Sequence, residues 1–98
     1  MFKTRRIPIY NYLDLSTAHI KEKTYKWLEE QIDKKTPSAI VYRKDAGLFV
    51  CVPPDMTEEW KVPDDLRYCL WCAYKYNCNW IIFDANAPVI DDLVQYEW

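Results

Sequence analysis

Gly47 is the only glycine in this chain of 98 residues. Glycine is the residue that most readily takes the positive φ required by tight hairpin turns. A chain with one glycine and six prolines is therefore unsuited to barrels and sandwiches that need many hairpins. The best hairpin signal lies at this glycine, because the strand-like segments AIVYR and LFVCV are joined by KDAG. We expect Gly47 to take the left-handed conformation there.

Two segments have the apolar spacing of amphipathic helices. The first helix is predicted from about Lys21 to Lys34, where a Thr-Pro pair soon follows. Lysine is a poor N-cap, so Ser16 or Thr17 is an alternative start. The second helix is predicted over PDDLRYCLWCAYKYN, with Pro63 in its first turn and two aspartates at the positive end of the helix dipole.

The remaining segments predict strands. RRIPIYNYLDL alternates with period two, and Pro8 suits an edge position or a strand start. NWIIF has the composition of a buried strand, and the tail has strand character near Leu93 to Tyr96. The predicted fold class is α+β: two helices packed on one face of a largely antiparallel four- or five-stranded sheet, in the order β-α-β-β-α-β with an optional last strand. Residues 1–98 form one domain, because so short a chain has no material for a second core.

The net charge of −2 hides an uneven distribution along the chain. Residues 1–50 carry ten Lys and Arg against six Asp and Glu, giving +4, whereas residues 51–98 carry three against nine, giving −6. Because a broad basic surface is missing, nucleic-acid binding is disfavoured. A weak nucleic-acid binder with a local basic patch of Arg5, Arg6, Lys34 and Lys35 is kept as an alternative.

The sequence also bears on localisation. The opening MFKTRRIPIYNYL has no apolar run behind its basic residues, and no stretch of roughly 18 apolar residues occurs. We expect neither a signal peptide nor a membrane span. Free cysteines in such a chain indicate a cytoplasmic protein with reduced thiols.

The spacing Cys69-x-x-Cys72, followed by Cys78, is the one chemical motif in the chain. A zinc site needs two further ligands, and His19 is the only histidine. A redox pair needs a thiol at a helix N-terminus, whereas two aspartates precede this pair. Helical periodicity turns Cys69 toward the core and places Cys72 at the edge of the apolar stripe, so we predict that this pair is buried or half-buried and that Cys51 lies in the core or on a sheet face. Metal binding and redox chemistry are the less favoured alternatives.

The enzyme hypothesis depends on His19, because any histidine-dependent mechanism must use this residue. The alternative to a binding protein is a small enzyme or metal protein that uses His19 with Asp84 and the Cys69 and Cys72 thiols; Asp14 is a second possible carboxylate for the histidine. No known catalytic motif accompanies them. We therefore predict a structural histidine, a turn-capping role for Asp84, and no catalytic residue, metal or cofactor.

The outward face of the second helix is the strongest candidate for binding. Trp71 lies opposite the apolar stripe, so it either packs under the loop that contains Trp60 or contacts a partner. Acidic residues of the second half would complement a basic partner. The predicted partner-binding residues are Trp60, Arg67, Tyr68, Trp71, Tyr74, Asp84, Asp91 and Asp92.

Several segments together resemble a known family. They are STAHI, the WLEEQ of the first helix, LFVCVP, and the ending Asp84-Ala85-x-x-Pro88-Val89-Ile90-Asp91-x-Leu93-x-x-Tyr96-x-Trp98. From Leu15 to the end, the chain is similar to a small domain of unknown function found on bacterial plasmids, phages and conjugative elements. The chain departs from the family pattern at Asn86 and Asp92, where glycine is frequent, and the cysteines of the second helix are not part of that pattern.

The resemblance implies a biological context but no catalytic reaction or bound group. Small accessory proteins of mobile elements often counter host defence, for example by binding a CRISPR effector. The predicted function is therefore non-enzymatic binding of a host protein, such as a defence nuclease, by an acidic and aromatic surface. No membrane partner is expected.

Overall fold

The computed structural model describes residues 9–45, 47–57 and 60–98 of the chain. Its elements, in chain order, are β1 (Tyr12–Leu15), a 3-10 helix (Thr17–His19), α1 (Glu22–Ile32), β2 (Val41–Lys44), β3 (Gly47–Cys51), α2 (Asp64–Lys75) and β4 (Trp80–Phe83). Neither described helix is long and apolar enough to cross a membrane.

The four strands form one mixed sheet in the order β1-β4-β3-β2. β3 pairs antiparallel with β2 and with β4, whereas β1 pairs parallel with β4. The predicted α+β class and element order are therefore confirmed. The optional last strand near Leu93 to Tyr96 is wrong, because residues 84–98 contain no strand. That segment, which we call the tail, is irregular, and Ile90, Val94 and Tyr96 hydrogen-bond to the 3-10 helix instead.

The hairpin between β2 and β3 forms where predicted, but the residue with a positive φ in its turn is not Gly47. Asp45 takes the positive φ of 52°, and no glycine in the described residues does. Gly47 is the first residue of β3 and pairs with Lys44. Aspartate tolerates the left-handed region because its short polar side chain can bond locally. The prediction for Gly47 was therefore wrong by two positions.

One face of the sheet carries the core. In β4, Ile81 and Phe83 are fully buried, and the strand pairings place Leu15 and Val50 beside them. Both helices pack on this face, since their apolar stripes join the same buried cluster. The helix residues in that cluster are Leu28, Leu66, Cys69, Leu70 and Ala73.

The first helix is shorter than predicted, and its N-terminus is capped from outside. Lys21 occupies the N-cap position and makes no side-chain capping bond. Asp65 on α2 instead accepts hydrogen bonds from the Lys21 backbone N–H at 2.7 Å and from the Thr24 hydroxyl at 2.8 Å. Ser16, one predicted alternative cap, caps the preceding 3-10 helix by accepting a bond from the Ala18 N–H at 3.1 Å.

β1 is an edge strand, as the proline-containing opening predicted. It begins at Tyr12 rather than near Ile7, and Ile9 lies before it in exposed, irregular chain. Ile7 and Pro8 lie outside the described residues.

Candidate functional site

The outward face of α2 is aromatic and solvent-accessible. Tyr68, Trp71 and Tyr74 are 66%, 42% and 40% exposed. The rings of Trp71 and Tyr74 meet edge to face with their centroids 5.6 Å apart. An edge-to-face pair of this kind contributes about 0.5–1.5 kcal/mol beyond the burial of its surface. α2 therefore displays an aromatic surface opposite its buried stripe.

The tail lies alongside this surface because His19 holds it. His19 is almost fully buried, and its Nε2 accepts a hydrogen bond from the Ile90 N–H at 3.0 Å. Its Nδ1 lies 3.0 Å from the Val94 carbonyl oxygen. Since Nε2 accepts, Nδ1 carries the proton and donates to Val94, which defines a neutral imidazole. Both ring nitrogens thus serve the tail, as expected of a structural histidine.

Further bonds fasten the end of the tail to the same region. The Tyr96 N–H donates to the Ala18 carbonyl at 2.7 Å, and the Trp98 indole N–H donates to the Ile20 carbonyl at 3.0 Å. The Trp98 ring also packs edge to face on Tyr25 at 5.4 Å. The STAHI segment and the C-terminal ending, which carry the family resemblance, are therefore bound to each other.

A cavity of about 980 Å³ lies between α2 and the tail, with Leu13 of β1 in its lining. We call it the α2–tail groove. Its volume is at the upper end of the range of ligand sites, and its walls are mostly apolar. The charged side chains in the lining are Asp65, Lys75 and Asp92, of which Asp65 is occupied by the cap of α1. The other lining residues are Leu13, His19, Tyr68, Cys69, Trp71, Cys72, Tyr74, Tyr76, Ile90, Leu93, Val94 and Tyr96.

The thiols beside the groove have little nucleophilic character. Burial, with smaller contributions from the charges of Asp65 and Cys72, raises the pKa of Cys69 to about 12. Burial also raises the pKa of Cys72. A thiol needs a lowered pKa to serve as a nucleophile or thiolate ligand near neutral pH. The burial predicted for Cys69 is confirmed, and Cys51 and Cys72 are half-buried.

Of the residues of the metal and enzyme alternative, His19, Cys69 and Cys72 line the groove, but Asp84 does not. His19 bonds to the tail backbone, whereas Asp84 caps the turn after β4 by accepting a bond from the Asn86 N–H at 2.9 Å. Within residues 9–45, 47–57 and 60–98, no group of three or more His, Cys, Asp or Glu side chains is arranged to hold a metal ion. The turn-capping role predicted for Asp84 is confirmed.

Trp60 and Arg67 lie outside the groove lining, and their hydrogen bonds hold the loop that contains Trp60 in place. The Trp60 indole N–H donates to the Ser38 carbonyl at 2.7 Å. Arg67 donates to the Thr57 carbonyl at 2.9 Å and to the Trp60 carbonyl. The Trp60 loop is thereby tied to α2 and to the chain before β2, and Trp71 lines the groove instead of packing beneath that loop.

The acidic residues predicted to bind a partner lie in different places. Asp92 lines the groove, whereas Asp91 is exposed but is not part of the lining. Of the predicted partner-binding residues, the groove therefore gathers Tyr68, Trp71, Tyr74 and Asp92. The tail side of the groove, which Ile90, Leu93 and Val94 supply, was not predicted from the sequence. It depends on the two hydrogen bonds between the His19 ring and the backbone of Ile90 and Val94, which we call the His19 latch.

A second aromatic surface was missed as well. It lies on the sheet face away from the helices, where the Trp80 ring is 5.9 Å from Tyr42 and 6.4 Å from Phe49. Tyr12 and Tyr42 are both 59% exposed there. Alternation in LFVC and WIIF assigns Phe49 and Trp80 to this outer face, which was the available signal.

Comparison with known proteins identifies the family. Residues 12–98 match the model for the C-terminal domain of a family of unknown function, DUF5983. The match spans most of the chain, so the chain belongs to this family, in agreement with the resemblance to a domain of unknown function. No curated protein matches the chain, and no solved structure does.

Proposed function

We propose that this member of a family of unknown function is a non-enzymatic, protein-binding accessory protein of a bacterial mobile element. In this proposal it captures a host protein in the α2–tail groove and so counters host defence, as an inhibitor of a CRISPR effector does. The mobile-element context rests on the resemblance of the sequence. The binding role rests on the groove.

One observation carries the proposal: a large apolar groove is lined by aromatic side chains, two of which, Trp71 and Tyr74, pack edge to face. Binding energy at protein interfaces concentrates in Trp, Tyr and Arg residues that fill pockets near the centre of the contact. Trp71 and Tyr68 are residues of these types in the groove lining. The His19 latch holds the opposite wall, so little ordering entropy is lost on binding.

The net charge of the second half of the chain supports a basic partner, whereas Lys75 offsets Asp92 within the groove lining itself. Asp92 lies in the groove, and the neighbouring Asp91 is exposed. A positively charged segment, such as one from the nucleic-acid channel of a nuclease, would be attracted to this acidic half of the chain. Of the residues of the nucleic-acid alternative, Lys34 and Lys35 are exposed beyond the end of α1 and are not part of the groove lining, and Arg5 and Arg6 lie outside the described residues.

The test is affinity capture from a bacterial host, followed by a binding measurement with the purified partner. Trp71→Ala is expected to weaken binding about 30-fold or more, because a Trp anchor contributes at least about 2 kcal/mol. Tyr42→Ala is the matched control, since Tyr42 is an exposed aromatic residue on the outer sheet face.

Charge reversal gives an independent comparison of two adjacent residues. Asp92→Lys places the new charge in the groove, whereas Asp91→Lys changes the net charge equally outside its lining. We expect Asp92→Lys to weaken binding far more. Equal effects would mean that general acidity, and not the groove, attracts the partner. If capture returned no host protein above background, the proposed function would lose its basis.

A further inference from the structure

The groove lies beside an open sheet edge. β4 occupies one side of β1, and no strand in the described part of the chain pairs with the other side. The Leu15 carbonyl accepts a bond from the Asp84 N–H at 2.9 Å, and the Asn11 carbonyl accepts from β4 as well. Backbone direction alternates along a strand, so the N–H and C=O groups of Tyr12 and Asp14 point to the open edge.

The open edge and α2 run side by side in opposite directions. At one end, the Asn11 side chain donates to the Asn77 carbonyl, just beyond α2, at 3.4 Å. At the other end, the chain leaves β1 toward His19, whose carbonyl accepts a bond from the Cys69 thiol of α2 at 3.6 Å. Leu13, between these ends, faces the groove. The groove thus lies next to β1, which contributes Leu13 to its lining.

The dimensions of the groove suit an extended chain. Its lining extends from Asp65 on α2 to Tyr76, the residue that follows this helix, which is roughly 16 Å at the helical rise per residue. An extended peptide of about five residues covers that distance. Such a peptide would pair its backbone with β1 and direct alternate side chains into the groove, toward Trp71.

We infer that the groove binds an extended segment of a protein partner, which adds to β1 as a fifth strand. This inference rests on the proposed function and specifies its binding mode. The segment has apolar side chains at alternate positions that enter the groove, and at least one Lys or Arg near Asp14 or Asp92. Backbone hydrogen bonds supply affinity and the groove supplies selectivity, as in other cases of strand addition.

The decisive protein variants differ at one edge position. Asp14→Pro removes an outward N–H and leaves the β4-facing groups of β1 in place, since proline is tolerated on the open side of an edge strand. Asp14→Ala removes the same carboxylate but keeps the N–H. We expect binding to weaken about tenfold or more with Asp14→Pro and about threefold with Asp14→Ala, whose loss is that of an exposed charge. Circular dichroism and thermal unfolding report whether both variants fold.

The probes are linear peptides selected from a phage-displayed library against the whole chain, with Trp71→Ala as the counter-selection. The selected peptides are expected to show apolar residues at every second position. N-methylation of the peptide amides that face β1 is expected to abolish binding, whereas N-methylation of the intervening amides is expected to preserve it. This pair of peptides keeps the test valid even if Asp14→Pro does not fold.

Three results would overturn the inference. They are selected peptides with helical spacing of their apolar residues, equal binding by the two Asp14 variants, and a selection that yields no peptide dependent on Trp71. The proposed function fails separately, when no host protein is captured. A captured host protein that needs Trp71 but tolerates Asp14→Pro would keep the groove and reject strand addition.

Discussion

Asp65→Ala tests the cap that joins the two helices. The carboxylate of Asp65 accepts the Lys21 N–H at 2.7 Å and the Thr24 hydroxyl at 2.8 Å, and Asp65 is buried. A hydrogen bond to a charged group contributes about 1.5–3 kcal/mol, and loss of an N-cap alone costs about 1 kcal/mol. Because the two bonds share one carboxylate, we expect the free energy of unfolding to fall by about 3 kcal/mol.

That loss is large for a domain of this size. Total stability is about 5–15 kcal/mol, and each kcal/mol shifts Tm by about 4–8 °C in a domain of this length. Thermal unfolding of Asp65→Ala is therefore expected about 12–24 °C below the wild type. Urea unfolding gives the free energy directly, provided that the m-value is unchanged.

Asp64→Ala is the matched control. Asp64 is exposed in the same first turn of α2, so it contributes mainly through the helix dipole, about 0.3–1 kcal/mol. If the two alanine variants lost the same stability, the capping role of Asp65 would be refuted. Asp65→Asn is expected to lie between them, because the amide retains one acceptor oxygen.

Two more predictions concern the groove region. His19→Ala leaves the Ile90 N–H without its acceptor, so amide hydrogen exchange at Ile90 should accelerate relative to β4; unchanged protection there would contradict the latch. The raised pKa of Cys69, about 12 against an ordinary 9.0, makes the buried thiol favour folding below pH 9, and this contribution is lost as pH rises toward 12. By pH 10 the free energy of unfolding should have fallen by about 1.4 kcal/mol for this reason. In urea unfolding, Cys69→Ala should remove that part of the pH dependence. An identical pH dependence in both proteins would show that Cys69 does not cause it.

The helix and strand pattern was largely readable from sequence because local chemistry sets it. The apolar stripe of α2 placed Cys69 inside and Trp71 outside, and both positions agree with the structure. The hairpin was also located. Its positive φ falls on Asp45, since either aspartate or glycine can occupy such a position and only the register of β2 against β3 decides between them.

The candidate site was only half predictable. Aromatic residues on α2 were identified from helical spacing. Trp60 and Arg67, however, hold a separate loop outside the groove lining, and the contributions of Ile90 and Val94 were not predicted. No local pattern indicates that a backbone carbonyl and an amide near the C-terminus will share one imidazole. Such bonds join residues more than 70 positions apart.

Sequence by itself determined the α+β class, the order of helices and strands, and which side of each helix is apolar, because periodicity and turn chemistry act over a few neighbouring residues. Tertiary structure alone decided the parallel pairing of β1 with β4, the cap that Asp65 supplies to α1, and the tail as one side of the groove. These features depend on contacts between distant segments, which form only when burial of the shared core brings the segments together.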